Sequence, residues 1–224
     1  MRRASFSELV ARMPLSFPAF ILLGSAAALA LWQGVFLATK GPGVTKTIVK
    51  TAAVAALVLL GLVAGAPGWI VLGLALGALG DLALSLPGSR AFLAGMAAFA
   101  AGHLCYVAAF VGLGAGVPPW PALLGFAALG ASTELWLAPR TGALRWPVRG
   151  YVVVIVAMAL AALGLPEGRG ILVFGVLAFV ASDLLLALEM FVLDNGPLRA
   201  GVKRLLWALY WCGQALIVLG SLPA

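Results

Sequence analysis

An all-α bundle of about eight membrane-spanning helices is the fold this sequence predicts, and three observations predict it. Hydrophobic residues make up 64% of the 224-residue chain and charged residues 9%, too few polar groups to coat a water-soluble domain. Apolar runs recur at about the 20-residue length that crosses a bilayer. Short breaks rich in glycine and proline stand between them, where helices must stop.

The breaks are GPGVTK, GAPG, SLPGSR, GAGVPPWP, APRTGALRWPVRG, LPEGRG and LDNGPLRAGVKR. They set spans at about 17–37, 44–64, 69–86, 90–113, 119–138, 148–164, 170–193 and 202–221. The start, MRRASFSELVARMPLSF, is a basic leader before an apolar segment with no small-residue cleavage site. Residues 1–16 are therefore expected to be a basic N-terminal segment, and 17–224 one domain that keeps its first span. The second span carries Lys46 and Lys50 one turn apart. In the third, Gly73, Gly77 and Asp81 are spaced by four, so a face of small residues turns an acid toward the bundle interior. His103 and Tyr106 share a face of the fourth, and Tyr210 and Gln214 a face of the eighth. The seventh holds Asp183, with Glu189 a turn and a half further on and off its face. No internal repeat is evident.

Basic residues orient the bundle. Lys40, Lys46, Lys50, Arg90, Arg140, Arg145, Arg149, Arg199, Lys203 and Arg204 lie on one side, against Arg2, Arg3, Arg12 and Arg169 on the other. The positive-inside rule then puts the first, third, fifth and seventh connections in the cytoplasm and both termini outside. The net charge of +7 fits anionic headgroups rather than nucleic acid, because the basic residues border apolar spans. Cys105 and Cys212 sit in apolar runs and read as packing residues. One His and two distant Cys do not make a metal-ligand set, and no motif demands an organic cofactor or fixes an oligomeric state.

Function is sought in the acids. The chain has only seven Asp and Glu, and Glu8, Glu134, Glu167 and Asp194 fall in or near connections. An aspartate at membrane depth costs about 2.5–3.5 kcal/mol to insert, so Asp81 and Asp183 are candidate functional residues. Counting along the helices puts Asp81 ~8 Å and Asp183 ~15 Å below the basic side, with Lys50 ~9 Å, Tyr210 ~12 Å, Gln214 ~18 Å and His103 ~20 Å deep. These polar groups therefore open toward one face. The plainer readings are an Asp–Lys50 tie between helices, a core histidine, and tyrosines (Tyr106, Tyr151, Tyr210) that pack or sit at the interface. Lys46 is expected to snorkel to headgroups, and the arginines at 140, 145 and 149 to set topology.

The run GDLALSLPGSRAFLAGMAAFAAGHLCYVAAF resembles the signature of the YhhN-type, lysoplasmalogenase-like membrane proteins: Gly-Asp near a helix end, then Phe-x-x-Gly-x-x-x-Phe-x-x-x-His-x-x-Tyr. FVASDLLLALEMF is similar to that family's Ser-Asp segment and YWCGQALIVLG to its terminal Tyr-x-x-x-Gln helix. The Lys50 helix and RWPVRGYVVVIVAM also fit, so the resemblance covers about residues 45–220. In place of the proline that often follows the lysine in the family, Thr51 follows Lys50. The resemblance implies a polytopic hydrolase that cleaves the vinyl ether bond of lysoplasmalogens (lysoplasmenylethanolamine or lysoplasmenylcholine) to a fatty aldehyde and a glycerophospho-base. Its acidic positions would be Asp81 and Asp183, with Lys50, His103, Tyr106, Tyr210 and Gln214 as pocket companions. Its partners would be an ether-lipid or lysophospholipid substrate and membrane lipids, in a bacterial cytoplasmic membrane.

The chemistry suits two acids in unlike settings. Vinyl ether hydrolysis protonates an alkene carbon and captures the resulting oxocarbenium ion with water, so it needs a donor and a base. Asp183, the deeper acid, is expected to donate and Asp81, nearer Lys50 and the surface, to activate water and stabilise the cation; the opposite assignment is the alternative. The competing classes are a transporter with an intramembrane polar pathway and a lipid-binding protein without catalysis.

Overall fold

The computed structural model describes residues 15–223; the basic leader, with Arg2, Arg3 and Arg12, lies almost wholly outside them. Among the described residues eight α-helices follow one another: α1 (Phe17–Trp32, continued by a π-helical turn over Gln33–Leu37), α2 (Val44–Val63), α3 (Gly68–Leu84), α4 (Ser89–Gly112), α5 (Trp120–Trp136), α6 (Arg145–Leu163), α7 (Gly170–Phe191) and α8 (Pro197–Ser221). No strand occurs among the described residues. Seven helices are long and apolar enough to cross a membrane; α3, of 17 residues, is apolar but shorter. The protein is an integral membrane protein.

The glycine and proline breaks end and start these helices as physics requires. Pro18 and Pro197 open α1 and α8 at positions whose N–H would have no intrahelical partner. Gly65 (φ +73°) and Gly114 (φ +90°) close α2 and α4 in the left-handed region. In both, the next residue's N–H bonds back to the helix, Ala66 to the Gly61 carbonyl at 2.8 Å and Ala115 to that of Phe110 at 2.9 Å. The sequence-predicted bounds hold at most ends. The exceptions are α6, which begins at Arg145 rather than 148, and α8, which begins at Pro197 rather than 202. Hydropathy marks where the hydrocarbon ends, whereas backbone hydrogen bonds carry a helix on into the polar headgroup layer.

Close packing rests on small residues. α3 lies on α4 and α7 on α8, with backbones nearly touching. A methyl added to Gly95 would meet the Gly80 carbonyl oxygen at 3.1 Å, and one added to Gly213 would meet that of Gly175 at 2.9 Å. α8 is the central post. It contacts α2, α3 and α7, and its Trp207 and Trp211 indoles donate to the carbonyls of Ala30 (2.8 Å) and Ala53 (3.2 Å) on α1 and α2. α6 joins α4 to α5 and α7. α5 has no buried residue and leans mainly on α6.

Candidate active site

The polar residues inside the bundle gather into two clusters. The first joins α2, α3, α4 and α8. The Lys50 ammonium lies 2.8 Å from Asp81 Oδ1, and the Tyr210 hydroxyl donates to Asp81 Oδ2 at 2.8 Å. Beside them the Tyr106 hydroxyl donates to Gln214 Oε1. The glycine face of α3 makes room for this group. A methyl at Gly77 would lie 2.7 Å from the Gln214 amide, and one at Gly73 would strike the Tyr106 ring.

The second cluster joins α4, α6 and α7. The Tyr151 hydroxyl donates to Asp183 Oδ2 at 2.7 Å, and His103 Nε2 stands 4.0 Å from the same oxygen. His103 is fully buried, and neither ring nitrogen has a hydrogen-bond partner among the described residues. Its ring is held edge-to-face by Phe179 at 4.8 Å and Tyr151 at 5.5 Å. Phe179 also packs on Tyr210 at 5.2 Å, as does Phe99 at 5.8 Å. An aromatic wall therefore separates the clusters, and no hydrogen bond joins the two carboxylates among the described residues.

The two acids differ in surroundings. Asp81 is 1% exposed and bound to a cation, while Asp183 is 14% exposed with no lysine or arginine in contact among the described residues. Asp183 and Tyr151 face a cavity of about 120 Å³ between α4, α5, α6 and α7, partly open to the outside. Its walls are apolar, with Phe99, Ile155 and Val180 deep inside and Phe92, Trp136 and Phe191 toward the basic side. This corrects the expected order of access. Asp183 is deeper along its helix, yet it is the acid that opens to a cavity, because enclosure depends on neighbouring helices and not on depth alone.

The seven sequence-predicted residues thus divide, with Lys50, Asp81, Tyr106, Tyr210 and Gln214 in one cluster and His103 and Asp183 in the other. Tyr151, by sequence a packing or interfacial aromatic, is the hydrogen-bond donor to Asp183. Tyr151, His103 and Asp183 lie on three different helices, so no spacing along one helix could announce this contact. The Lys46 ammonium donates to the carbonyls of Ala38 and Lys40, capping the end of the first span. Glu189 stays apart from both clusters, bound to Arg199 at 2.7 Å and Lys203 at 3.3 Å. No group of three or more metal-ligating side chains converges among the described residues.

Comparison with known proteins adds the lineage. Over 159 residues the chain is 30% identical to a protein of Mycobacterium bovis and to one of Mycobacterium tuberculosis, each named lysoplasmalogenase. The match takes in 68% of this chain and 59% of each relative, so it spans less than two thirds of their length. No solved structure matches significantly. Residues 45–221, which hold all eight residues of the two clusters, match the YhhN family model; the chain belongs to the YhhN family.

Proposed function

We propose that the protein is a membrane-embedded hydrolase that cleaves the vinyl ether bond of lysoplasmalogens, releasing a fatty aldehyde and a glycerophospho-base. The observation that carries this reading is Asp183, a carboxyl without a cationic partner among the described residues, set in the wall of an apolar cavity that is partly open to the outside. The names of the mycobacterial relatives support the reaction class.

In this reading the vinyl ether lies against Asp183, whose proton passes to the alkene carbon remote from the ether oxygen. An oxocarbenium ion results, and the ionised Asp183 takes a proton from the water that attacks it. The hemiacetal then collapses: Asp183 gives this proton to the departing glycerol oxygen and takes the proton of the hemiacetal hydroxyl, which leaves the aldehyde and restores the acid. No lysine or arginine contacts the Asp183 carboxyl among the described residues, which leaves it to the substrate and the water. Tyr151 and His103 aim the carboxyl. Asp81 acts behind the aromatic wall: with its charge balanced by Lys50, it fixes Tyr210 and, through Phe99 and Phe179, the inner end of the cavity. The relatives are mycobacterial and the lining residues Phe92, Trp136 and Phe191 lie near the basic-side ends of their helices, which supports a bacterial cytoplasmic membrane with that end of the cavity toward the cytoplasm.

The test is product analysis by mass spectrometry on purified protein given lysoplasmenylethanolamine or lysoplasmenylcholine. Fatty aldehyde is expected from the wild type and none from a folded Asp183→Asn variant. Equal aldehyde from both would remove Asp183 from the chemistry.

A further inference from the structure

Next to cavity-lining residues of α5 and α6, one arginine is held in the geometry that phosphate also takes. Arg149 on α6 grips Glu134 on α5 through two parallel contacts, Nε to Oε1 at 2.8 Å and Nη2 to Oε2. The guanidinium lies over the Trp146 ring, 4.7 Å from its centre. Both partners are partly exposed, and each is flanked in sequence by cavity-lining residues: Thr133 and Trp136 beside Glu134, Val148 and Tyr151 beside Arg149. A guanidinium fork accepts a carboxylate or a phosphate with the same two donors.

Levels along the helices agree. Arg149 is four residues into α6, ~6 Å from its start, and Asp183 is eight residues from the end of α7, ~12 Å inside. The difference matches the glycerol backbone that separates a lysophospholipid's phosphate from its first chain linkage. We infer that Arg149 binds the phosphate of a single-chain phospholipid whose tail fills the cavity, and that Glu134 holds that place in the empty protein. Phosphate displaces the carboxylate, and α5 loses the ion pair that ties it to α6. The inference deepens the ether-lipid reading by naming what recognises the headgroup, and rests on that reading only for the linkage set against Asp183.

Binding tests it without turnover. Wild-type protein, Arg149→Ala and Glu134→Gln in nanodiscs are titrated with hexadecyl lysophosphocholine, an ether that cannot be hydrolysed as a vinyl ether, and with hexadecylglycerol, which lacks phosphate. Fluorescence of Trp146 and Trp136 reports occupancy, and free glycerophosphocholine tests whether phosphate alone suffices. Arg149→Ala should cut the preference for the phospholipid at least tenfold, and Glu134→Gln should raise phospholipid affinity severalfold by freeing the guanidinium. Free glycerophosphocholine should compete only weakly, because it has no tail. Opposite signs for the two variants separate recognition from a mere helix tie, which either variant would loosen alike. A wild type without preference, an Arg149→Ala protein that keeps it, or two variants that weaken binding equally would each overturn the inference. Because no reaction is read, a protein that binds as described yet makes no aldehyde would sink the hydrolase proposal and leave this one standing.

Discussion

Tyr151 and Lys50 show how single residues govern the two acids. Tyr151→Phe removes the one hydroxyl bonded to Asp183, and a hydrogen bond to a carboxyl group is worth about 1.5–3 kcal/mol when charged. Turnover of lysoplasmenylcholine should fall at least about tenfold in kcat with little change in KM; an unaltered kcat would take Tyr151 out of the site. Lys50 presents a different balance. Removing one partner of a buried ion pair costs about 3–5 kcal/mol because the other is left charged, whereas removing both costs far less. Thermal unfolding in detergent should therefore show Lys50→Met more destabilised than Lys50→Met with Asp81→Asn. The double variant should regain product formation if Asp81 only positions Tyr210; a stable but inactive double variant would make Asp81 a participant in the chemistry. The sequence made both aspartates and their basic, aromatic and amide companions visible, since polar groups are rare in apolar spans. It did not show that Tyr151 meets Asp183 or that Phe99 and Phe179 stand between the acids. Those contacts depend on the rotation of helices about their own axes, which hydropathy leaves open.

Among the helices, the glycine faces carry the close approaches, and what each glycine faces decides its tolerance. At Gly213 an added methyl meets backbone, the Gly175 carbonyl oxygen at 2.9 Å and the Phe179 nitrogen at 3.0 Å. At Gly77 it meets the movable end of Gln214. Gly213→Ala should cost about 1–3 kcal/mol by overpacking α7 against α8, and Gly77→Ala clearly less. Unfolding temperatures that ranked the two the other way would contradict the α7–α8 packing. Gly77→Ala should instead show itself in the Tyr106–Gln214 pair, through altered activity in a stable protein. The spacing of Gly73, Gly77 and Asp81 made the inner face of α3 legible, and the Gly and Pro breaks located every helix. The early start of α8 and the π-helical turn at Gln33–Leu37 were not legible, because neither leaves a mark in apolar composition.

For the whole molecule, the bundle is tight where α3, α4, α7 and α8 meet and open where α5 forms the cavity wall. If the cavity holds the hydrocarbon chain, its floor should measure that chain. Ile155→Trp fills the deep end and should shift preference toward shorter alkenyl chains, read as KM across a chain-length series; a uniform change at all lengths would place the chain elsewhere. No residue of α5 is buried, so in a single copy of the chain set in a bilayer the outer side of the wall it forms would border the acyl layer. For a vinyl ether hydrolase this sorts the products by phase. The aldehyde passes sideways into the bilayer and the glycerophospho-base into water, so the two are diluted in different solvents the moment they part. Inhibition by aldehyde then follows its mole fraction in the membrane, and adding inert lipid should relieve it as surely as removing the aldehyde.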